Sequence, residues 1–162
     1  MGQLAERLNG IRVHAAAPGI DLEGELRNRT EITLSFGESV YEFVNEAALE
    51  RALASLARLL YTGWLRQYRE AISTTNLNIY PNDQHDFNFR DEADAVEASG
   101  ESSDRRITLS TVGMRSFSAE IQRGTVRELS ERGFIANIAE AAPRLIEDYR
   151  AKVTDIKRRY YG

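Results

Sequence analysis

A chain of 162 residues, 42% apolar and 28% charged, has the length of one compact domain or two very small ones and leaves no room for a large multidomain enzyme. Its 25 acidic and 21 basic side chains give a formal net charge of −4, which excludes a uniformly basic coat for nucleic acid or membrane but leaves a local basic patch open. With no cysteine, disulfide scaffolds, thiolate zinc sites, iron–sulfur ligation and cysteine nucleophiles are excluded together.

From the N-terminus, Leu4, Leu8 and Ile11 define one side of a short helix. Residues 1–17 lack the uninterrupted apolar run of a signal peptide, and no stretch of about 20 apolar residues could span a bilayer, so the expected setting is the cytoplasm, away from membranes. Residues 22–26 predict a first short strand. In residues 32–36, Ile32, Leu34 and Phe36 alternate with Thr33 and Ser35, the period of a strand with one apolar and one polar face. Gly37 and Glu38 then make a tight connection to Val40, Tyr41, Phe43 and Val44, whose β-branched and aromatic types predict the second arm of a hairpin.

Asn45 is a helix cap with Glu46 in the first turn, and Leu49, Leu53, Leu56, Leu60, Trp64 and Tyr68 form one apolar stripe that carries the helix to about Ile72. Gly63 is its weak point, costing about 1 kcal/mol relative to Ala in an exposed helix interior. Residues 76–94 are expected to be a linker of Asn76, Asn78, Pro81, Asn82, Asp83 and further acids. Its Leu77, Ile79, Tyr80, Phe87 and Phe89 should nevertheless pack, at roughly 1.5–3 kcal/mol for each fully covered side chain. Residues 95–99 then predict a strand, and Ile107, Leu109 and Thr111, a turn near Gly113, and Phe117, Ala119 and Ile121 predict a hairpin. Ser130 precedes a final helix through Phe134, Ile138, Ala142, Leu145, Tyr149, Val153 and Ile156, which Pro143 should kink by removing a donor and crowding the preceding turn. Tyr160 and Tyr161 are expected to pin its end to the core.

An internal echo organises these elements. Ile32-Thr33-Leu34-Ser35 recurs letter for letter as Ile107-Thr108-Leu109-Ser110, 75 positions later, with a Gly-Glu pair upstream of each copy (Gly24-Glu25 and Gly100-Glu101). The same order of alternating stretch, turn and long helix surrounds both copies. The domain organisation expected from this is a first unit over residues 1–75, the linker 76–94 and a second unit over residues 95–162.

Motifs that carry chemistry are scarce. Asp83, His85, Asp86, Asp91, Glu92 and Asp94 are types a divalent ion accepts, but they match no ligand spacing, and a solvated acidic loop explains them better. His14 has no serine or carboxylate beside it in sequence, and the glycines form no phosphate cradle. No catalytic residue, metal site or cofactor is therefore assigned. The charge asymmetry that stands out is C-terminal: from Arg144 onward six bases (Arg144, Arg150, Lys152, Lys157, Arg158, Arg159) face three acids (Glu147, Asp148, Asp155), a local balance of +3. Arg105 and Arg106, leading into the second hairpin, form a second basic pair.

The run Val96-Glu97-Ala98-Ser99-Gly100-Glu101-Ser102, then Arg106-Ile107-Thr108-Leu109-Ser110, Phe117-Ser118-Ala119-Glu120-Ile121 and Phe134-Ile135-Ala136-Asn137-Ile138-Ala139-Glu140-Ala141-Ala142 resembles the YbaB/EbfC family of small nucleoid-associated proteins. The resemblance covers a little over a third of the chain, and residues 22–72 fit it more loosely. It implies an α+β, two-layer pseudo-dimer of two strand-strand-strand-helix units, with residues 32–36 and 107–111 as corresponding strands. In place of a clear leading helix, the second unit has the linker. The family pairs as homodimers with projecting helices and is associated with DNA binding, not catalysis. The function implied is a non-enzymatic DNA-binding protein in which Arg105, Arg106, Arg150, Lys152, Lys157, Arg158 and Arg159 contact phosphates. The rival expectation is a protein-interaction or assembly module, binding a protein partner or a second copy of itself, in the manner of accessory proteins of bacterial specialised secretion systems.

Overall fold

The computed structural model describes residues 2–73 and 83–162, which form six helices and two three-stranded antiparallel sheets. The first half runs α1 (Gly2–Asn9), β1 (Val13–Ala16), β2 (Leu22–Arg27), β3 (Glu31–Phe36), α2 (Val40–Phe43) and α3 (Glu46–Ser73). The second half runs α4 (Gln84–Asp94), β4 (Glu97–Glu101), β5 (Ile107–Val112), β6 (Ser116–Ile121), α5 (Thr125–Glu128) and α6 (Glu131–Tyr161). The fold is α+β with two units, as the switching of apolar period between two and three-to-four predicted.

Elements β2, β3, α2 and α3 begin at residues 22, 31, 40 and 46, and β5, β6, α5 and α6 at 107, 116, 125 and 131, a constant offset of 85. Local chemistry follows the same offset. Leu22 and Ile107 are both fully buried, as are Leu49 and Phe134. The hairpin turns place Asn28 and Gly113, then Arg29 and Met114, at positive φ, and Ser39 and Gly124 turn left-handed before α2 and α5. Asn45 and Ser130 each accept a hydrogen bond from the backbone N–H three residues on, at 2.8 and 3.0 Å, capping the two long helices.

The four-letter echo is not this repeat. Its offset of 75 sets Ile32 to Ser35 on β3, an outer strand, and Ile107 to Ser110 on β5, the middle strand of its sheet. Residues 32–36 and 107–111 are therefore not corresponding strands: β3 answers to β6, and β5 to β2. Alternating β-branched and hydroxyl residues suit any half-buried strand, so the same letters serve two different places in the sheets.

Two further expectations are corrected. Residues 40–43 are helix α2, not a hairpin arm, because the partner of β3 is β2, paired from Leu22↔Phe36 to Arg27↔Glu31. Ser39, at φ 64°, takes the chain out of the sheet, and Tyr41 packs against the rings of Phe36 and Phe134, with centroids at 5.4 and 5.7 Å, in a three-ring cluster whose third side is 6.0 Å. The acidic run at residues 84–94 is not linker but helix α4, so the second sheet does have a leading helix. Asp83 caps it by accepting from the Asp86 N–H at 2.9 Å. Tyr160 and Tyr161 hold the end of α6 against this helix, meeting His85 and Phe89 edge-on at 5.0–6.0 Å, while Phe87 stays half exposed. Asn76, Leu77, Asn78, Ile79, Tyr80, Pro81 and Asn82 lie outside the described residues.

Each long helix packs on both sheets. Helix α3 lies against β1 and β2 of its own unit and crosses to β6, and α6 lies against β4 and β5 and crosses to β3. The core is accordingly continuous, joining Leu22, Leu49 and Leu56 to Ile107, Phe134 and Ile138. Polar ties cross the same boundary: the Glu50 carboxylate accepts from the Ile121 N–H at 2.7 Å, and Glu46 accepts from the Val126 N–H at 3.0 Å. The two halves thus pair within one chain. Helix α6 runs through Pro143 without a break.

Candidate nucleic-acid interface

The basic residues singled out by sequence do not converge. Arg105 stands in the β4–β5 turn, 3.9 Å from Glu101, and Arg106 pairs with Asp104 at 3.6 Å and with Glu128. Both lie near the first half of α6, where Ser103 hydrogen-bonds Glu140. Arg158 and Arg159 are 18 residues further along that helix, about 27 Å at 1.5 Å per residue. There Arg158 pairs with Asp155 at 3.9 Å and Arg159 with Glu92 at 3.4 Å. Lys152 is held by Asp148 at 3.1 Å and by the Glu97 carbonyl at 2.9 Å. Arg150 turns toward an apolar cavity between the long helices. Of the set, Lys157 faces a cleft that gathers other cations.

That cleft, of about 1400 Å³, lies between α3, α4, the β5–β6 turn and α6. The apolar stripe of α3 turns Leu49, Leu53, Leu56 and Leu60 into the core, and helical spacing then sets Arg58, Arg66 and Arg69 on another face. Helix α4 adds Arg90, the turn adds Arg115, and α6 adds Lys157, against the carboxylates of Glu70, Asp86 and Asp94. Asp94 is engaged by Arg115 at 3.4 Å, and Asp86 accepts from the Tyr161 hydroxyl. Among the described residues none of Arg58, Arg66, Arg69, Arg90 and Lys157 is in an ion pair. Sequence inspection missed this group because its members come from separate elements. The one available signal was the 58, 66, 69 spacing opposite the leucine stripe.

Tyrosines floor the cleft. Burial raises the Tyr61 pKa, the nearby Arg69 opposes the rise, and Asp94 adds to it. Tyr149 is pushed up to about 12, chiefly by burial, and its hydroxyl donates to the Ala93 carbonyl at 3.2 Å. Tyr161 is raised to about 12 because its proton is held by Asp86. These phenols stay protonated at neutral pH and act as donors and surfaces. His14 is exposed on β1, and no group of three or more potential metal ligands occurs among the described residues. No helix among them is long and apolar enough to cross a membrane. No family model, curated protein or solved structure matches the chain.

Proposed function

We propose that this chain is a non-enzymatic, cytoplasmic DNA-binding protein that holds the phosphate backbone in the cleft between α3, α4 and α6. The observation that carries this is the convergence of Arg58, Arg66, Arg69, Arg90 and Lys157 on one cleft, none of them ion-paired with a carboxylate among the described residues. Unpaired guanidinium groups suit phosphate oxygens, and such contacts position a protein on DNA without reading bases. The resemblance to the nucleoid-associated family supports the same reading. Arg105, Arg106, Arg158 and Arg159 are tied to acids and do not line the cleft, and Lys157 is the sequence-predicted residue that makes contact there.

The test is a mobility-shift titration with a short duplex at about 50 mM salt, where backbone contacts are strongest. A complex whose affinity collapses with added salt, and which the Arg66→Glu and Arg69→Glu substitutions weaken, is the expected result. Folded wild-type protein that forms no complex removes the reading. The assembly-module alternative has less to stand on, since among the described residues the exposed large hydrophobics Phe43, Leu59, Phe87, Val112 and Tyr161 number one on each of five elements, and exposed apolar residues are ordinary on protein surfaces.

A further inference from the structure

A cavity of about 440 Å³ lies where the two units meet, between α3 and α6, on a floor of sheet residues. Its size falls within the roughly 300–1,000 Å³ of small-molecule sites. Leucines of both helices, with Ile32, Phe117 and Ile138, make it largely apolar. Its charge is confined to one end, and the 85-residue correspondence shows how. Arg29 answers to Met114, Arg150 to Leu65, and Tyr68 to Val153, so one end carries two cations where the other carries Met114 and Leu65 beside the uncharged phenols of Tyr61 and Tyr149. Arg150 lies near enough to Arg29 to lower its pKa, in addition to the lowering by burial, and neither arginine is in an ion pair among the described residues. The indole of Trp64, which lines the cavity, stacks on Tyr68 at 5.0 Å, and its Nε1 is buried with no hydrogen-bond partner among the described residues.

Half-buried Arg29 and exposed Arg150 repel each other at one end of the apolar cavity, and among the described residues neither has a carboxylate there. A carboxylate there would take charge-assisted hydrogen bonds from both guanidinium groups and relieve their repulsion. We infer that the cavity binds a single-chain amphipathic carboxylate of the fatty-acid class, its headgroup between Arg29 and Arg150 and its chain running past Trp64 toward Met114 and Leu65. This site is separate from the arginine cleft and does not depend on DNA binding, although Tyr61, Leu65, Met114 and Tyr149 line both.

Trp64 is the chain's single tryptophan, so its emission reports on the cavity directly. Titration with sodium dodecanoate below its micelle concentration should give a saturable change, with one molecule bound per chain in native mass spectrometry. Dodecanol should bind about tenfold more weakly, and the Arg29→Gln, Arg150→Gln double variant should lose about tenfold for the acid and nothing for the alcohol, the scale of one charge-assisted hydrogen bond. Ala57→Leu, which fills the cavity, should weaken both ligands. If that variant does not fold, the acid–alcohol comparison still decides. No saturable change, equal binding of acid and alcohol, undiminished affinity in the double variant, or capture by phosphatidylglycerol vesicles without uptake of free dodecanoate would each overturn the proposal.

Discussion

The hydroxyl of Tyr41 donates to the Leu129 carbonyl at 3.0 Å, latching α2 of the first unit to the end of α5 in the second across 88 residues of sequence. Burial raises the Tyr41 pKa, and Glu46 and Glu131 raise it further, so the donor keeps its proton well into the alkaline range. Tyr41→Phe removes only the latch and should cost about 1 kcal/mol in urea denaturation. Tyr41→Ala also removes the ring from its cluster with Phe36 and Phe134 and should cost about 3–5 kcal/mol. Equal stability of Tyr41→Phe and wild type would show that the latch contributes nothing.

A shared core predicts shared unfolding. Leu49 and Phe134 sit at corresponding positions of the two long helices, both fully shielded from solvent in one apolar cluster. Leu49→Ala should cost about 2–5 kcal/mol and Phe134→Ala about 3–5 kcal/mol, each destabilising both halves together. Trp64 fluorescence reports on the first unit, and amide exchange in β5 reports on the second. Coincident transitions are expected, and separate midpoints for the two probes would mean that the units are independent.

Acid should erode stability through two carboxylates. Asp148 is depressed first by the Ser99 N–H at 3.0 Å, with partial burial opposing and Lys152 reinforcing. For Asp104 burial alone would raise the pKa, but hydrogen bonds from Asn137, the Arg106 N–H and Ser102, with the Arg106 charge, outweigh it. Folded values below the unfolded value near 3.9 mean that this stabilisation is whole above that pH and is lost as pH falls through the folded values. Both groups are partly solvated, so the effect is modest. Asp104→Asn with Asp148→Asn should lower stability at neutral pH and flatten the acid limb of the stability curve; an unchanged limb would contradict the assignment.

What the sequence discloses here is set by how local each signal is. The Asn45 cap, the leucine stripe of α3 and the β5–β6 hairpin at Gly113 are written in adjacent residues and are legible. Val40 to Phe43 has strand composition but is helical, because Tyr41 is claimed by rings at residues 36 and 134, a tertiary preference no local window contains. Helix α4 lacks a clear apolar stripe and buries none of its residues fully, so its pattern resembles a solvated loop. The 85-residue correspondence is hidden because it conserves backbone geometry and burial rather than residue identity: Leu22 opposite Ile107, Asn28 opposite Gly113. The arginine cleft is assembled from α3, α4 and α6, and only folding brings those together.

The location of the DNA site separates two groups of basic residues. Arg66 and Arg69 are unpaired in the cleft, whereas Arg158 and Arg159 are tied to Asp155 and Glu92 at 3.9 and 3.4 Å. Each lost phosphate contact should reduce the slope of log affinity against log salt by about one. Arg66→Ala with Arg69→Ala should therefore flatten that slope by about two, and Arg158→Ala with Arg159→Ala should leave it nearly unchanged. The reverse outcome in a salt-dependent binding series would return the contact surface to the C-terminal end.

Gly100 shows where the second sheet and α6 cannot separate. A Cβ at this position would stand 2.2 Å from the Ala141 carbonyl oxygen and 2.3 Å from the Leu145 nitrogen, both helix backbone and unable to swing aside. Strand β4 therefore rests directly on the turn that contains Pro143, and Arg144 reaches back to the Glu101 carbonyl at 2.7 Å to fix the contact. Gly100→Ala must push strand from helix, and overpacking of this kind costs about 1–3 kcal/mol. The corresponding residue of the first unit is Ala15 on β1, where a Cβ is already accommodated, so Ala15→Gly should release no comparable strain. Denaturation midpoints of the two variants check the asymmetry: a large fall for Gly100→Ala beside a small change for Ala15→Gly is expected, and a Gly100→Ala protein as stable as wild type would mean that β4 and α6 are not in backbone contact.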